Sequence, residues 1–330
     1  MNEPVLITGA AGFIGFHCAT ELLQRGHHVV GIDNLNDYYD VSLKEDRLQQ
    51  LANFEKFTFI KQDIADKAGM EKLWEEHGPF KKVVHLAAQA GVRYSLENPY
   101  DYIHSNCLGH LTILEMCRHT DDFEHLVYAS SSSVYGGNDK VPFSVNDDTN
   151  SPVSLYAATK RSDELMSHSY AHLYNLPVTG LRFFTVYGPW GRPDMSYFIF
   201  TDKLKNNEKL PVFNGGDMKR DFTYIDDAVD AVLKIMDIPP DINEEKPPSR
   251  TLNIGNTKSE SLLDFIKTIE DSLGVKAELD MMEMQAGDVK QTYADISETT
   301  ELTGFTPKTS IQDGIPRFIQ WYKDYYKITS

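Results

Sequence analysis

The run Pro4-Val-Leu-Ile-Thr8 leads directly into Gly9-Ala-Ala-Gly12-Phe13-Ile14-Gly15, and a helical pattern then covers residues 17–25. No other stretch limits the fold as tightly. A short apolar run without alternation suits a parallel strand buried on both faces. Glycine lets the backbone turn sharply, and the N-terminus of a following helix favours an anion. A second apolar run, 28–32, ends at Asp33, so the order is strand, turn, helix, strand, acid. Alone, such a turn serves equally well as a plain tight connection. In this order it fits a dinucleotide site, where glycines admit a pyrophosphate and a carboxylate accepts from a ribose 2′-hydroxyl. The GxxGxxG spacing is one residue longer at its first gap than the common fingerprint. Asp33 would repel a 2′-phosphate, and Asn34, Leu35 and Asn36 bring no cation, so NAD is expected rather than NADP.

The second feature is Ser131, within Ala129-Ser-Ser-Ser-Ser-Val-Tyr-Gly136, together with Tyr156-Ala-Ala-Thr-Lys160. A Tyr and a Lys four residues apart share one helix face, about one turn from each other. An ammonium near a phenol favours the ionised form. Such a tyrosine can take a proton from a sugar or alcohol hydroxyl when a hydride acceptor lies opposite. A YxxxK pair alone is more often an ordinary surface feature. Beside a dinucleotide site it reads as chemistry.

Further strands are expected at 57–61, 82–86, 124–130 and 177–183, alternating with helices. That order predicts an α/β fold, a doubly wound parallel (Rossmann) sheet over residues 1–183. From Phe184 onward Pro and Gly become frequent and the alternation stops. Residues 184–330 are expected to form a smaller α/β lobe for substrate, interleaved with the first domain and closed by amphipathic helices at 262–273 and 315–326. The stretch 33–51, with Tyr38 and Tyr39, is long for a strand-to-helix connection and reads either as a flap or as a surface excursion. Residues 239–248 read as a solvated loop.

Composition bounds the partners. Asp and Glu outnumber Lys and Arg by 49 to 32, a net charge of −17, which argues against nucleic acid and anionic membrane. No apolar run approaches membrane-spanning length, and the first strand starts too early for a signal peptide, so a cytoplasmic protein is expected. Cys18, Cys107 and Cys117 are odd in number and widely spread, which suits free thiols in a reducing compartment. No His, Cys or Asp cluster has metal-ligand spacing.

The glycine turn, Ser131 and the Tyr156/Lys160 pair together resemble the extended branch of the short-chain dehydrogenase/reductase superfamily, over essentially the whole chain. Asp63-Ile64 matches the segment that contacts adenine there, and His85-Leu86-Ala87-Ala88-Gln-Ala90 follows the fourth strand. Asn106 stands where the family has a structural Asn. The resemblance implies Tyr156 as catalytic base, Lys160 on the nicotinamide ribose and Ser131 on the reacting hydroxyl. It also implies an NAD site formed by Gly9, Gly12, Phe13, Ile14, Gly15, Asp33, Asn34, Asp63, Ile64, Leu86, Ala87 and Ala88.

Extended members oxidise a nucleotide sugar at C4, and those that then eliminate water carry Asp and Glu after the active-site Ser or Thr. Here Ser132 and Ser133 follow, hydroxyls that cannot act as a carboxylic acid/base pair at neutral pH. The implied chemistry is hydride out and hydride back, an epimerisation. In the run Arg182-Phe-Phe-Thr185-Val-Tyr-Gly-Pro-Trp-Gly-Arg192-Pro-Asp-Met195, Thr185 offers a hydroxyl and Arg192 a planar fork suited to carboxylate or phosphate. With Tyr38-Tyr39 and the run 220–227, this resembles UDP-glucuronate 4-epimerases. The resemblance implies a UDP-sugar substrate, its carboxylate held by Thr185 and Arg192 with Ser132 and Ser133 nearby. Arg220 would meet the pyrophosphate and Asp288 the uridine ribose. UDP-glucose is the rival substrate, although its epimerases have Asn at the position of Thr185 and often Arg at that of Gln285. A non-catalytic nucleotide-sugar binder is the rival class. Helices around 101–118 and 152–173 resemble a four-helix interface of the family, implying a homodimer.

Overall fold

The computed structural model describes residues 3–243, 245–283 and 290–328. The chain divides into two compact units, one of Met1–Gly136, Asp148–Phe183 and Val229–Leu252, the other of Gly137–Asp147, Phe184–Ala228 and Asn253–Ser330.

The first unit opens with β1 (Val5–Thr8), α1 (Phe13–Gln24), β2 (Val29–Asp33), α2 (Val41–Leu51), β3 (Phe57–Lys61), α3 (Lys67–His77) and β4 (Lys82–His85). Two short helices, α4 (Tyr94–Glu97) and α5 (Pro99–Tyr102), run into a π-helical segment Ile103–Leu108 and then α6 (Gly109–Arg118). β5 (His125–Ser131), α7 (Leu155–Tyr174) and β6 (Val178–Phe183) complete the alternation. The strands lie in the order β3-β2-β1-β4-β5-β6, with parallel registers between neighbours. β1 pairs with β2 on one side and β4 on the other, so the direction of winding reverses between β1 and β4. Ligands of doubly wound sheets collect at that reversal, beyond the strands' carboxyl ends. Every residue of β1 and β2 is buried, which is why these runs lack polar alternation. Leu6, Val30, Ile32, Val83, Leu126 and Val178 from the strands meet Ile113, Leu114 and Cys117 of α6 in one core. Each such aliphatic side chain contributes roughly 1.5–3 kcal/mol.

The second unit holds β7 (Thr185–Tyr187), α8 (Ser196–Lys205), β8 (Leu210–Phe213) and β9 (Lys219–Tyr224). The boundary between units falls within α9 (Ile225–Met236). β10 (Ser249–Ile254) lies beside β6 at the edge of the large sheet. The second unit resumes with β11 (Ser259–Ser261), α10 (Leu262–Leu273), β12 (Leu279–Met282), α11 (Ser297–Thr303) and α12 (Ile311–Tyr325). Here β9 pairs with both β7 and β11, while β8 pairs with β12. Phe222 and Phe265 stack at 4.0 Å between ring centroids inside this unit.

Most strands fall within a residue of their expected limits. The first helix begins at Phe13, directly behind the glycine turn, rather than at His17. Much of the stretch 33–51 is helix: the Asp40 carboxylate accepts from Ser42 N and caps α2. α12 starts at Ile311, with Ser310 as its cap, and accommodates Pro316 near its start. Cys18 and Cys117 are buried and Cys107 half-buried, all three as free thiols.

Candidate active site

The glycine turn is shaped by close approach. Gly9 has φ of +72°, and a Cβ there would lie 2.8 Å from Ala87 N. A Cβ on Gly15 would strike the Gly9 carbonyl, while Gly12 N donates to Gly9 O at 2.9 Å. Phe13 is buried and Ile14 half-buried at the start of α1. Thr8 Oγ1 accepts from Leu86 N at 3.1 Å and Ala87 N at 3.0 Å, which fixes the segment after β4 against the turn. Ala88 follows, half-buried.

Asp33 is buried at the end of β2 and accepts from Leu35 N through one oxygen, leaving the other without a partner among the described residues. Asn34 Nδ2 donates to Asp63 Oδ2 at 3.1 Å, and Asp63 Oδ1 accepts from Ala65 N at 2.8 Å. Asn34 and Asp63 share a cleft of about 470 Å³ with Asn36, Lys61, Gln62 and Asp66. The Ile64 side chain belongs to the core, so only its main chain is free for a ligand. Although residues 34–36 carry no cation, the fold brings two to this edge. Lys44 donates to Asn36 O and Oδ1 at 2.8 and 2.7 Å, and Lys61 stands opposite Asp33 across β2 and β3. Arg47, fully buried, donates to Ala11 O and Tyr39 Oη at 2.7 and 2.8 Å. A buried acid with one free oxygen beside an open polar cleft fits a ribose diol.

Tyr156 and Lys160 sit in the first turns of α7, which is capped by Ser154 Oγ accepting from Ala157 N. Tyr156 is half-buried, its ring set edge-on to Tyr102 with centroids 6.0 Å apart. Lys160 is buried and its Nζ donates to Ala129 O at 3.0 Å and to Asp163 Oδ2 at 3.1 Å. The ammonium is thereby tied to β5 two residues before Ser131. Ser131 accepts from Ser133 Oγ at 2.8 Å and caps the short 3₁₀ turn Ser132–Tyr135. Ser131, Ser132 and Ser133 are all half-buried.

A second tie holds α7 to the sheet. Glu164 accepts from Ser130 Oγ at 2.7 Å, from Arg182 Nε and Nη2 at 2.8 and 2.9 Å, and from Arg161 Nη1 at 2.8 Å. Burial pushes its carboxyl up, but the Arg182, Ser130 and Arg161 donors outweigh it and hold the group below the usual range. Asn106, in the π-helical segment, accepts from Gln89 N and donates to Gln89 O and Thr159 Oγ1, so the structural role expected of it is filled by three bonds. Burial pushes the His85 imidazole down to about 3, with Lys160 adding to the push, and the ring meets Thr8 Oγ1 at 2.7 Å. It is a neutral, structural histidine.

Asp163 and Glu164 escaped the sequence reading. Their signal was present: acids three and four residues after Lys160 reach the same helix face. Arg182, the one charge in the strand Val178–Phe183, was a second signal, because a buried cation needs a partner.

In the second unit, Thr185 opens β7, half-buried, with its main chain opposite Phe222. Arg192 donates to both oxygens of Asp194, at 3.0 and 2.6 Å, so its fork is engaged by a carboxylate of the chain itself rather than by a ligand. Arg220 stands opposite Glu260 and donates through Nη1 to Lys219 O and Lys290 O at 2.9 and 3.2 Å. Asp288 and Gln285 lie outside the described residues. Among the described residues no acidic, His and Cys group is placed to hold a metal ion.

Residues 5–255 match the model of the NAD dependent epimerase/dehydratase family. The chain is 50% identical to protein CapI of Staphylococcus aureus over 98% of its own length and 99% of that protein. It is 46% identical to UDP-glucuronate 4-epimerase 2 of Arabidopsis thaliana, over 98% of this chain and 76% of that one. The crystal structure of UDP-glucuronic acid 4-epimerase from Bacillus cereus, in complex with UDP-glucuronic acid and NAD, superposes with a TM-score of 0.89 at 33% identity, covering 98% and 100% of the two chains. With the family model spanning most of its length, and relatives matching from end to end, the chain belongs to the NAD dependent epimerase/dehydratase family.

Proposed function

We propose that this chain is an NAD-dependent UDP-glucuronate 4-epimerase, interconverting UDP-glucuronate and UDP-galacturonate through a 4-keto sugar. The observation that carries the chemistry is the half-buried Tyr156 one helical turn from the buried Lys160, itself tied to β5 beside Ser131. Residues 1–183 hold mainly the dinucleotide and 184–330 mainly the UDP-sugar. Bound NAD would take the C4 hydride and return it. Tyr156 removes the 4-hydroxyl proton and gives it back, Lys160 binds the nicotinamide ribose and Ser131 hydrogen-bonds the reacting oxygen. Gly9, Gly12 and Gly15 leave room for the pyrophosphate, and Asp33 accepts from the adenosine ribose.

The 4-keto hexuronate is a β-keto acid, prone to lose carbon dioxide when the breaking bond stands perpendicular to the carbonyl plane. Thr185 and Arg192, with Ser132 or Ser133, hold the carboxylate out of that geometry. Arg220 meets the pyrophosphate. The relatives named as UDP-glucuronate 4-epimerases support this substrate over UDP-glucose.

A homodimer is supported by apolar side chains exposed on α4 to α7, including Leu96 at 77%, Tyr100 at 85%, Leu165 at 53% and Leu173 at 65%. Net negative charge and three free thiols support a cytoplasmic location. No described helix is long and apolar enough to cross a membrane.

The test is incubation with UDP-glucuronate and UDP-glucose separately, without added NAD, and separation of products by chromatography. UDP-galacturonate should form without accumulating NADH, and denatured protein should release NAD or NADH. Conversion of UDP-glucose alone would reassign the substrate. Accumulating NADH would make the protein a dehydrogenase. Release of chiefly NADP would overturn the reading of Asp33.

A further inference from the structure

Lys160 carries three N–H donors. Two are spent, on Ala129 O and on Asp163 Oδ2, which leaves one for the ribose and phenol side. Asp163 is itself 1% exposed, and its second oxygen has no partner within the described residues. A carboxylate buried this deeply with a single ligand is costly unless it acts on that ligand.

We infer that Asp163 is a positioning residue for the active site: its carboxylate holds the Lys160 ammonium against β5 and offsets its charge, so that Asp163 and the Tyr156 phenol compete for one cation. This rests on the reading of Lys160 as part of that site. The surroundings of Asp163 support the competition. On its own helix Lys160 attracts and Glu164 repels its negative charge. Glu164 is itself engaged by Arg182, Arg161 and Ser130. From the neighbouring elements, Cys107 on the π-helical segment, His110 on α6 and Tyr128 on β5 face it, none of them a cation at neutral pH. Among the described residues, Lys160 is therefore the one charged group that stabilises the ionised carboxylate. Burial pushes the Asp163 carboxyl up to about 7 against that pull.

Removing the competitor leaves the cation wholly available to the phenol. The acid limb of the kcat profile should therefore move to lower pH by about one unit in Asp163→Asn and in Asp163→Ser.

The experiment measures kcat with UDP-glucuronate from about pH 5 to 9 for the wild type, D163N, D163S and K160M, with released NAD quantified for each. Coincident limbs in wild type and both variants, whatever their absolute rates, would reduce Asp163 to a structural ion pair and overturn the proposal. Wild-type NAD content in D163N or D163S shows that the variant is folded, so that a limb coincident with the wild type's in that variant overturns the proposal. K160M separates the two readings. If K160M keeps wild-type rate and NAD content, the role of Lys160 fails; if K160M is inactive while the limbs coincide, only the role of Asp163 fails.

Discussion

Glu164→Ala is the substitution whose cost the structure defines most sharply. The carboxylate has a side-chain exposure of 2% and Arg182 of 4%, with two parallel hydrogen bonds between them. Removing Glu164 leaves a buried guanidinium that cannot give up its proton inside the fold and has lost its carboxylate, with the Tyr135 ring 4.9 Å away. Breaking a buried pair from one side costs about 3–5 kcal/mol. The orphaned Ser130 hydroxyl adds about 1 kcal/mol, whereas Arg161, a quarter exposed, can turn to water and adds little. A loss of roughly 4–6 kcal/mol is a large share of the 5–15 kcal/mol that domains possess.

The measurement is urea unfolding followed by Trp74 fluorescence in a background lacking Trp190 and Trp321, so that the first unit alone is reported. Replacing both partners, Glu164→Leu with Arg182→Met, should recover most of the loss, since an apolar pair is often as stable as a buried ion pair. Sign follows from the depressed carboxyl of Glu164: its contribution is present above the ordinary glutamate range and disappears as pH falls through the lowered value. The gap between wild type and Glu164→Gln should therefore narrow in acid. A cost below about 1 kcal/mol for Glu164→Ala, or single losses that simply add in the double variant, would show that the pair does not anchor α7.

Two further predictions concern the chemistry. Tyr156→Phe should keep NAD and UDP-sugar bound while turnover falls at least about 100-fold, and a near-normal rate would remove Tyr156 from the mechanism. Arg192→Ala should weaken UDP-glucuronate more than UDP-glucose by about 1.5–3 kcal/mol, the worth of a charge-assisted bond, as read from the two KM values. Mass spectrometry of the same reaction should show carbon dioxide-loss products. Equal losses for both sugars and no such products would place Arg192 on the diphosphate or in the loop's own scaffold.

Much of the fold was legible because its signals are local. β3 and α10 fall on their expected limits, the one an apolar run, the other a helical stripe between Ser261 and Gly274. The glycines and the Tyr156/Lys160 spacing likewise carry their meaning within a few residues. What escaped is non-local or disguised. Arg182 meets Glu164 only because the fold sets β6 beside α7. Lys44 and Lys61 reach the Asp33 edge only because α2 folds back and β3 pairs with β2. The first turn of α12 lay outside the expected limits of 315–326, and Pro316, the sixth residue of that helix, costs it one backbone hydrogen bond.

The chain crosses between its two units after residues 136, 147, 183, 228 and 252. Parts joined by one linker can be exchanged, duplicated or trimmed by a single recombination. These cannot. A cut after Phe183 would strip the first unit of 229–252, most of β10 included, and strand 137–147 on the wrong side. New specificity in a chain threaded this way is reached by point substitution, and the two units are inherited as one piece.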